Sequence, residues 1–413
     1  MRIGDCAPHV LVVLENNPYP YDARARPQVE ALVAAGYRVT VCAPTGYGQD
    51  ERDELVGNAR VLRFRAPPGG RGALGYAREF GLALARLAPL VRGVARRERV
   101  DVVLVCNPPD ALMALAVPLG RRGAGIVFDD RELSPELFEA KYERRGAIYR
   151  LLVAIEGFAA RRADAVLITN ESYRENITVR AGVPAERTFV VGNGPDPARI
   201  YPVPPRPELR RGRPHLVLWL GFMSDQDGVP NLVDAAEELL VRQGRRDVTF
   251  AIVGPGDVRE EIQADVRRRG LQDSVVLPGR VQDDEIRAYL STADVCVGAD
   301  RRNPMNDRAA MRKILEYMTM SRPVVQFPLT EMRRLCGDAV LYARDADPLD
   351  LANRIGGLLD DPAERERLGA AAKRRVVEQK LLWPHQVDTL LEAVELALRR
   401  GRERGGRPQP PAS

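Results

Sequence analysis

Asn303-Pro-Met-Asn-Asp-Arg-Ala-Ala-Met-Arg-Lys-Ile-Leu-Glu-Tyr-Met-Thr-Met-Ser-Arg-Pro-Val-Val-Gln326 is the stretch whose reading decides the fold. It divides into a polar loop, an amphipathic helix of about three turns and a buried strand at Pro323–Phe327. Asn306 or Asp307 is the N-cap candidate, because a short side-chain oxygen can accept from the first-turn amides. Met311, Ile314, Leu315 and Met318 recur at i, i+3, i+4 and i+7, so one face is buried. Lys313 and Glu316 fall on the opposite face, three residues apart and able to act together. The amides of Ala309 and Ala310 open the helix without intrahelical partners, an end that suits a phosphate. An anion seat, a cation and a carboxylate on one helix could hold a nucleoside diphosphate. The same spacing also describes a solvated helix face.

Apolar runs and helical periods alternate on both sides of this stretch. Upstream lie strands at Leu216–Leu220, Val248–Val253, Val275–Leu277 and Val295–Val297, with helices at Val229–Gln243 and Arg259–Arg269. Downstream come a strand at Ala339–Tyr342 and helices at Pro348–Leu359, Pro362–Gln379 and Gln386–Arg399. Pro202–Pro214 carries too many prolines for a helix or central strand and reads as a linker. Before it runs a first series of strands: Val10–Leu14, Tyr37–Ala43, Val61–Phe64, Asp101–Cys106, Ile126–Phe128, Ala163–Thr169 and Thr188–Val191. The pattern predicts an α/β protein of two doubly wound, Rossmann-like domains, residues 1–205 and 206–378, facing a central cleft. A helical segment, 379–400, and a disordered tail, 401–413, complete the chain. The loop after Val10–Leu14 has no GxGxxG, so the nicotinamide and flavin fingerprint is absent.

Composition agrees with that plan. A chain of 413 residues exceeds one typical domain, and 45% hydrophobic with 29% charged residues describes a soluble globular protein. A net charge of +5 permits attraction to anionic lipid or nucleotide. No dense Lys/Arg run with interleaved aromatics points to nucleic-acid readout. The five cysteines are scattered, without a CxxC pair, and read as buried thiols of a reducing compartment. With three histidines far apart, no zinc site is expected. Val10–Leu14 is too short for a signal peptide, and no uncharged run approaches the ~18 residues of a membrane span. The expected location is therefore the cytoplasm. The basic amphipathic segment Gly81–Arg97, kinked at Pro89, is either a helix packed on a sheet or a peripheral contact with the inner membrane face.

Polar clusters directly after parallel strands mark ligand sites in such folds. Two stand out in the first half, Asn107-Pro-Pro-Asp110 and Asp129-Asp-Arg-Glu-Leu-Ser-Pro-Glu136. Asp129 or Glu132 could orient or deprotonate a hydroxyl, or the cluster could simply cap a helix at Pro135. Arg24 could bind a phosphate or pair with Asp22 or Glu30.

With these clusters goes a series of motifs in a telling order. They are Asp22-Ala-Arg24, Asn107-Pro-Pro-Asp110, Phe128–Glu136, Val191-Gly-Asn-Gly-Pro-Asp196, Leu218-Trp-Leu-Gly221, Gln226-Asp-Gly228, Ile252-Val-Gly-Pro-Gly256, Leu277-Pro-Gly-Arg-Val281, Lys313–Met320 and Leu358-Leu-Asp-Asp-Pro362. In this order the chain resembles the family 4 glycosyltransferases of the GT-B fold over nearly its whole length. The resemblance implies a bacterial, retaining, metal-independent transfer of a sugar from a UDP- or GDP-sugar to an acceptor hydroxyl, with no cofactor. The acceptor would be a glycan or lipid-linked molecule in cell-surface polysaccharide or glycolipid synthesis. It places the donor on the second domain, the acceptor on the first, and a C-terminal helix, Trp383–Arg399, crossing back to the first.

Carried over by position, Glu316 would bind the ribose hydroxyls and Arg280–Val281 would frame the base. Lys313, with Asn306, Asp307, Arg308, Ala309, Ala310, Met311 and Arg312, would surround the diphosphate. Gly221 and Gly254 would let backbone approach the donor. Asp129 and Glu132, with Arg24, Asp110 and Arg131, form the acceptor side, and Lys313, Glu316, Asp129 and Glu132 are the catalytic candidates. The chain departs from the family pattern in three ways: Arg308 replaces a glutamate, Phe222 and Asp227 replace a basic pair, and Arg131 replaces a histidine. A non-catalytic nucleotide-sugar-binding subunit and a sugar-nucleotide epimerase of the same fold are the alternatives.

Overall fold

Strands buried on both faces by helices need no polar alternation, and the continuous apolar runs of this chain form such strands. A computed structural model describes residues 7–70 and 72–406. The first sheet contains β1 (His9–Val13), β2 (Arg38–Pro44), β3 (Asp53–Val56), β4 (Ala59–Phe64), β5 (Val102–Cys106), β6 (Gly125–Asp130), β7 (Ala165–Ile168) and β8 (Thr188–Val190). Its order is β3-β4-β2-β1-β5-β6-β7-β8, parallel except for β3, which runs antiparallel to β4. The second contains β9 (His215–Leu220), β10 (Val248–Val253), β11 (Val275–Gly279), β12 (Val295–Gly298), β13 (Val324–Gln326) and β14 (Leu341–Tyr342), in the parallel order β11-β10-β9-β12-β13-β14. Both sheets grow outward from a first strand and then return to its other side. The order therefore reverses between β1 and β5, and between β9 and β12. Open α/β sheets bind ligands at the carboxyl ends of such reversal points.

The chain divides into two compact units, one of the residues up to Gly192 together with those from Gln386 onward, the other Asn193–His385. The division falls before Pro202–Pro214, not after residue 205. Prolines exclude this segment from a ladder, but its remaining amides find partners on the second unit. Val203 N–H donates to Ser291 Oγ (3.0 Å) and Arg206 N–H to Thr292 Oγ1 (2.9 Å), while the Arg210 guanidinium meets Asp294 at 3.0 Å. It is a docked strap rather than a free linker.

The last helix, Pro384–Arg404, packs on the first unit. It lies directly against the β6 backbone: a Cβ on Gly125 would fall 2.2 Å from Ala397 O, and one on Gly401 2.3 Å from Gly125 N. Arg404 pins the end to Asp164 at 2.7 Å. These contacts carry the helix past residue 401, where a disordered tail was expected; residues 407–413 lie outside the described residues.

The segment expected around Gly81–Arg97 is a longer helix, Gly72–Arg97, with Pro89 inside it. Leu87, Val91 and Val94 are buried in the core of the first unit, so its apolar face is already used. Among the described residues no helix is long and apolar enough to cross a membrane. Cys42, Cys106, Cys296 and Cys336 are buried free thiols, and Cys6 lies outside the described residues.

Candidate functional site

At the β9/β12 reversal, side chains from four segments meet around Lys313. The loop Asn303–Met311 behaves differently from its sequence reading. Asn306–Arg308 forms a single 3-10 turn, Ala309 is extended, and the helix occupies Arg312–Thr319, two turns rather than three, with Met311 at the N-cap. Asn306 does not cap it; its Nδ2 donates to Gln226 O (2.9 Å) and Arg301 O (3.0 Å), sewing the loop to the segment after β9. Asp307 is taken by the next helix, accepting from Thr330 N–H and Oγ1, both at 2.8 Å. Ala309 N–H donates to Asn306 O (3.2 Å), and Met311 N–H points at Met332 Sδ (3.1 Å). The amides at 309 and 310 therefore precede the helix and do not form its anion seat. With both short polar residues claimed by neighbouring loops, only the turn from Met311 onward is free to wind as α-helix.

The apolar stripe is as expected: Ile314, Leu315 and Met318 are buried, with Met311 packed beside them. Tyr317 is buried too, and its Oη accepts from Leu220 N–H (2.7 Å), locking the helix to the end of β9. Lys313 is not on a solvated face. It is 9% exposed, with Nζ 2.9 Å from Asp300 Oδ1, 3.5 Å from Asp227 Oδ1 and 4.6 Å from the centre of the Trp219 ring. A buried ammonium needs such partners, because desolvation otherwise removes its charge. Burial pushes the Asp300 carboxyl above its usual range, opposed by the Lys313 charge. Glu316 accepts from Arg312 Nε at 2.9 Å.

Gly221 and Gly254 end β9 and β10, and a Cβ on Gly254 would stand 1.8 Å from Gly221 O. The glycine there is required by backbone meeting backbone. Arg280 is exposed and Val281 half-buried just after β11; Arg308 is half-buried in the 3-10 turn. Among the described residues no group of three or more His, Cys, Asp or Glu is placed to hold a metal ion.

In the first unit, the β1/β5 reversal brings together the loop after β1, Asn107–Asp110 after β5, and Asp129–Glu132 at the end of β6. Asp129 is fully buried and meets Arg24 Nη2 at 2.7 Å, Arg131 Nε at 3.0 Å and Gln28 Nε2 at 3.1 Å. Burial alone would raise its pKa, but the two guanidiniums outweigh that and hold it below the usual range. Asp129 is therefore a fixed anion rather than a proton acceptor. Arg24 also donates to Val191 O (2.7 Å); its guanidinium pairs with Asp129, while its backbone N–H donates to Asp22 Oδ1 (3.1 Å). The reason is tertiary, since the loop carries Arg24 over the end of β6. Arg131 bridges Asp129 and Asp22 (2.9 Å).

Asn107 is the hub beneath: its Nδ2 donates to Asp110 Oδ1, Asp130 Oδ1 and Glu132 O, each at 2.8 Å. Burial raises the Asp110 and Asp130 carboxyls, Asp130 well above its usual value with Glu156 and Asp110 adding to the shift. Glu132 is half-buried, and burial raises its pKa as well, with Arg131 opposing. Among the acceptor-side carboxylates Asp110, Asp129 and Glu132, only Glu132 is partly exposed, as a group that exchanges a proton with a substrate must be.

The N-terminal half matches the description "Glycosyl transferase 4-like domain" over residues 21–194, and the C-terminal half "Glycosyl transferases group 1" over residues 214–361. The chain belongs to the group 1 glycosyl transferases. Alpha-D-kanosaminyltransferase of Streptomyces kanamyceticus is 30% identical over 232 residues, covering 52% of this chain and 56% of that protein. Glycogen synthase of Mycobacterium tuberculosis is 26% identical over 407 residues, 92% of this chain and 91% of that one. The crystal structure of Anabaena Alr3699/HepE in complex with UDP-glucose superposes with a TM-score of 0.68 at 19% identity, covering 94% of this chain and 99% of that one. This glycosyltransferase thus has the GT-B fold, two parallel-sheet Rossmann-like domains.

Sequence reasoning named Lys313, Glu316, Asp129 and Glu132 and quoted Asn107 in a strand-end cluster, but missed Asp300 and gave no role to Trp219, Tyr317 or Gln28. Asp300 lies two residues beyond β12 and was within reach of the rule that singled out Asp129. Nothing in the sequence pairs Trp219 or Gln28 with their neighbours, which are 94 and 101 positions away.

Proposed function

We propose that this glycosyltransferase transfers a sugar, with retention and without a metal, from a UDP- or GDP-sugar to an acceptor hydroxyl of a cell-surface polysaccharide or glycolipid. The observation that carries the reading is Lys313, a buried cation at the β9/β12 reversal, where folds of this kind seat ligands. A diphosphate gains negative charge as it leaves, and a pre-placed ammonium in a water-poor site stabilises that charge strongly. The Anabaena neighbour that binds UDP-glucose supports a nucleotide-sugar donor on this fold. Glu316 would receive the ribose hydroxyls on exchanging its Arg312 partner for them. Glu132, with its raised pKa, would orient the acceptor hydroxyl and take its proton, while Arg24, Asp129 and Arg131 keep the surrounding backbone in place.

The acceptor is proposed to be lipid-linked and met at the inner membrane face. The surface for that contact is the helix Ala147–Arg162 rather than Gly72–Arg97. Ile148, Leu151 and Phe158 are exposed along one side of it, among Arg150, Arg161 and Arg162. Apolar residues flanked by arginines suit an anionic lipid surface, whereas a second copy of the helix would set like charges together.

The test is a thermal-shift and hydrolysis screen against UDP- and GDP-sugars in EDTA. One donor should raise the melting temperature and release nucleoside diphosphate, and the product's anomeric configuration, read by NMR, should match the donor's. Stabilisation without turnover, even with acceptor extracts, would favour a donor-binding subunit. That second reading draws on the two carboxylates that already neutralise Lys313.

A further inference from the structure

Lys313 has two carboxylate partners of unequal standing. Asp300 is 4% exposed, touches Nζ at hydrogen-bond distance and lies two residues beyond β12. Its ionised form depends on the lysine. Asp227 is more open, its side chain 26% exposed, and stands 3.5 Å from Nζ, beyond a hydrogen bond. Its other oxygen, Oδ2, is satisfied elsewhere, accepting from Ser224 Oγ (2.5 Å) and Ser224 N–H (3.1 Å). Asp227 is therefore anchored independently of Lys313.

It also keeps its place. Gly228, at φ +66, leaves no room for a Cβ, which would stand 1.9 Å from Ala299 O. Asn231 Nδ2 donates to that same oxygen at 3.2 Å, and Asn306 Nδ2 holds Gln226 O at 2.9 Å. The Gln226-Asp227-Gly228 loop is clamped from both sides, so a ligand reaching Lys313 meets an anion that cannot swing away.

We propose that Asp227 is a specificity-determining residue of the donor site, a fixed negative charge that weakens the hold of Lys313 on anionic ligands in proportion to their charge. This rests on the reading of Lys313 as the cation that receives the diphosphate. Repulsion between fixed charges scales with the ligand's charge, so a nucleoside diphosphate is disfavoured more than a monophosphate, and a nucleoside not at all. The consequence for turnover is faster release of the nucleoside diphosphate product than Lys313 alone would allow.

The experiment is calorimetric titration of wild type and Asp227→Asn with UDP, UMP and uridine, and with the guanine series. Asparagine keeps the acceptor oxygen for Ser224 and removes the charge. UDP or GDP should bind about five- to tenfold tighter to the variant, the monophosphate less so, and the nucleoside unchanged. Asp227→Ser, a second neutral variant, carries the same expectation should the first not fold, and Asp227→Glu should show no gain. Unchanged diphosphate affinity in the neutral variants, or an equal change across all three ligands, overturns the proposal. Lys313→Met separates the two levels. If it weakens diphosphate binding while Asp227→Asn changes nothing, only the role of Asp227 falls; if it binds diphosphate like wild type, the reading of Lys313 falls and this inference with it.

Discussion

Single residues hold the two candidate sites in opposite ways. Asp129 is fixed by Arg24, Arg131 and Gln28, so it acts as a structural anion. Replacing it by Asn leaves two buried guanidiniums short of charge and should cost about 3–5 kcal/mol of stability, measured by urea unfolding. Glu132 is not bound in this way. Glu132→Gln should lower turnover by about a hundredfold or more in steady-state assays, with donor affinity and melting temperature unchanged. A loss of stability equal to that of Asp129→Asn would assign Glu132 to the scaffold instead. Tyr317→Phe strands the Leu220 N–H and should cost roughly 1–3 kcal/mol in the same unfolding experiment. Lys313 and Glu132 were legible as residues after a strand or on a helix face. Which partners they meet was not, because Asp300 and Asn107 reach them through sheet order and not through local spacing.

Elements show where periodicity stops informing. A 3.6-residue period reveals that a helix has an apolar side but not whether another element covers it. Gly72–Arg97 buries that side in the core, while Ala147–Arg162 leaves Ile148, Leu151 and Phe158 exposed. Leu151→Glu with Phe158→Glu should therefore abolish co-sedimentation with phosphatidylglycerol-containing vesicles and leave donor hydrolysis intact. Equal sedimentation of variant and wild type would remove this helix from the membrane reading. The last helix depends on contacts of a different kind. Gly401→Leu would drive a side chain into Gly125 and should release the C-terminal helix from the first unit, seen as lost hydrogen-exchange protection over Pro384–Arg404.

At the scale of the whole molecule, buried carboxylates make stability depend on pH. Asp110, Asp130 and Glu156 are all raised by burial, Glu156 to about 7. A carboxyl whose folded pKa exceeds its unfolded value contributes stability that is present below the unfolded pKa, 3.8 for Asp and 4.5 for Glu, and lost as pH rises from there through the folded one. Asp130→Asn, which keeps the oxygen that accepts from Asn107, should melt like wild type at about pH 4 and at a higher temperature at about pH 8. A constant difference across that range would mean that Asp130 is not protonated in the folded state.

Alternation of apolar runs with helical periods, and polar residues just beyond the strands, belong to local chemistry, and from them the sequence by itself determined two doubly wound α/β domains and the neighbourhoods of both sites. Burial on two faces demands continuous apolar strands, and strand ends demand polar loops; both leave marks within a few residues. The tertiary structure alone decided which polar residues meet. It shortened the Arg312–Thr319 helix by giving Asn306 and Asp307 to other loops, paired Arg24 with Asp129 across 105 positions, and sank Lys313 between Asp227 and Asp300. Those pairings follow from the strand order, which sets residues far apart in sequence a few ångströms apart in space and leaves a buried charge no partner but the one the sheet supplies.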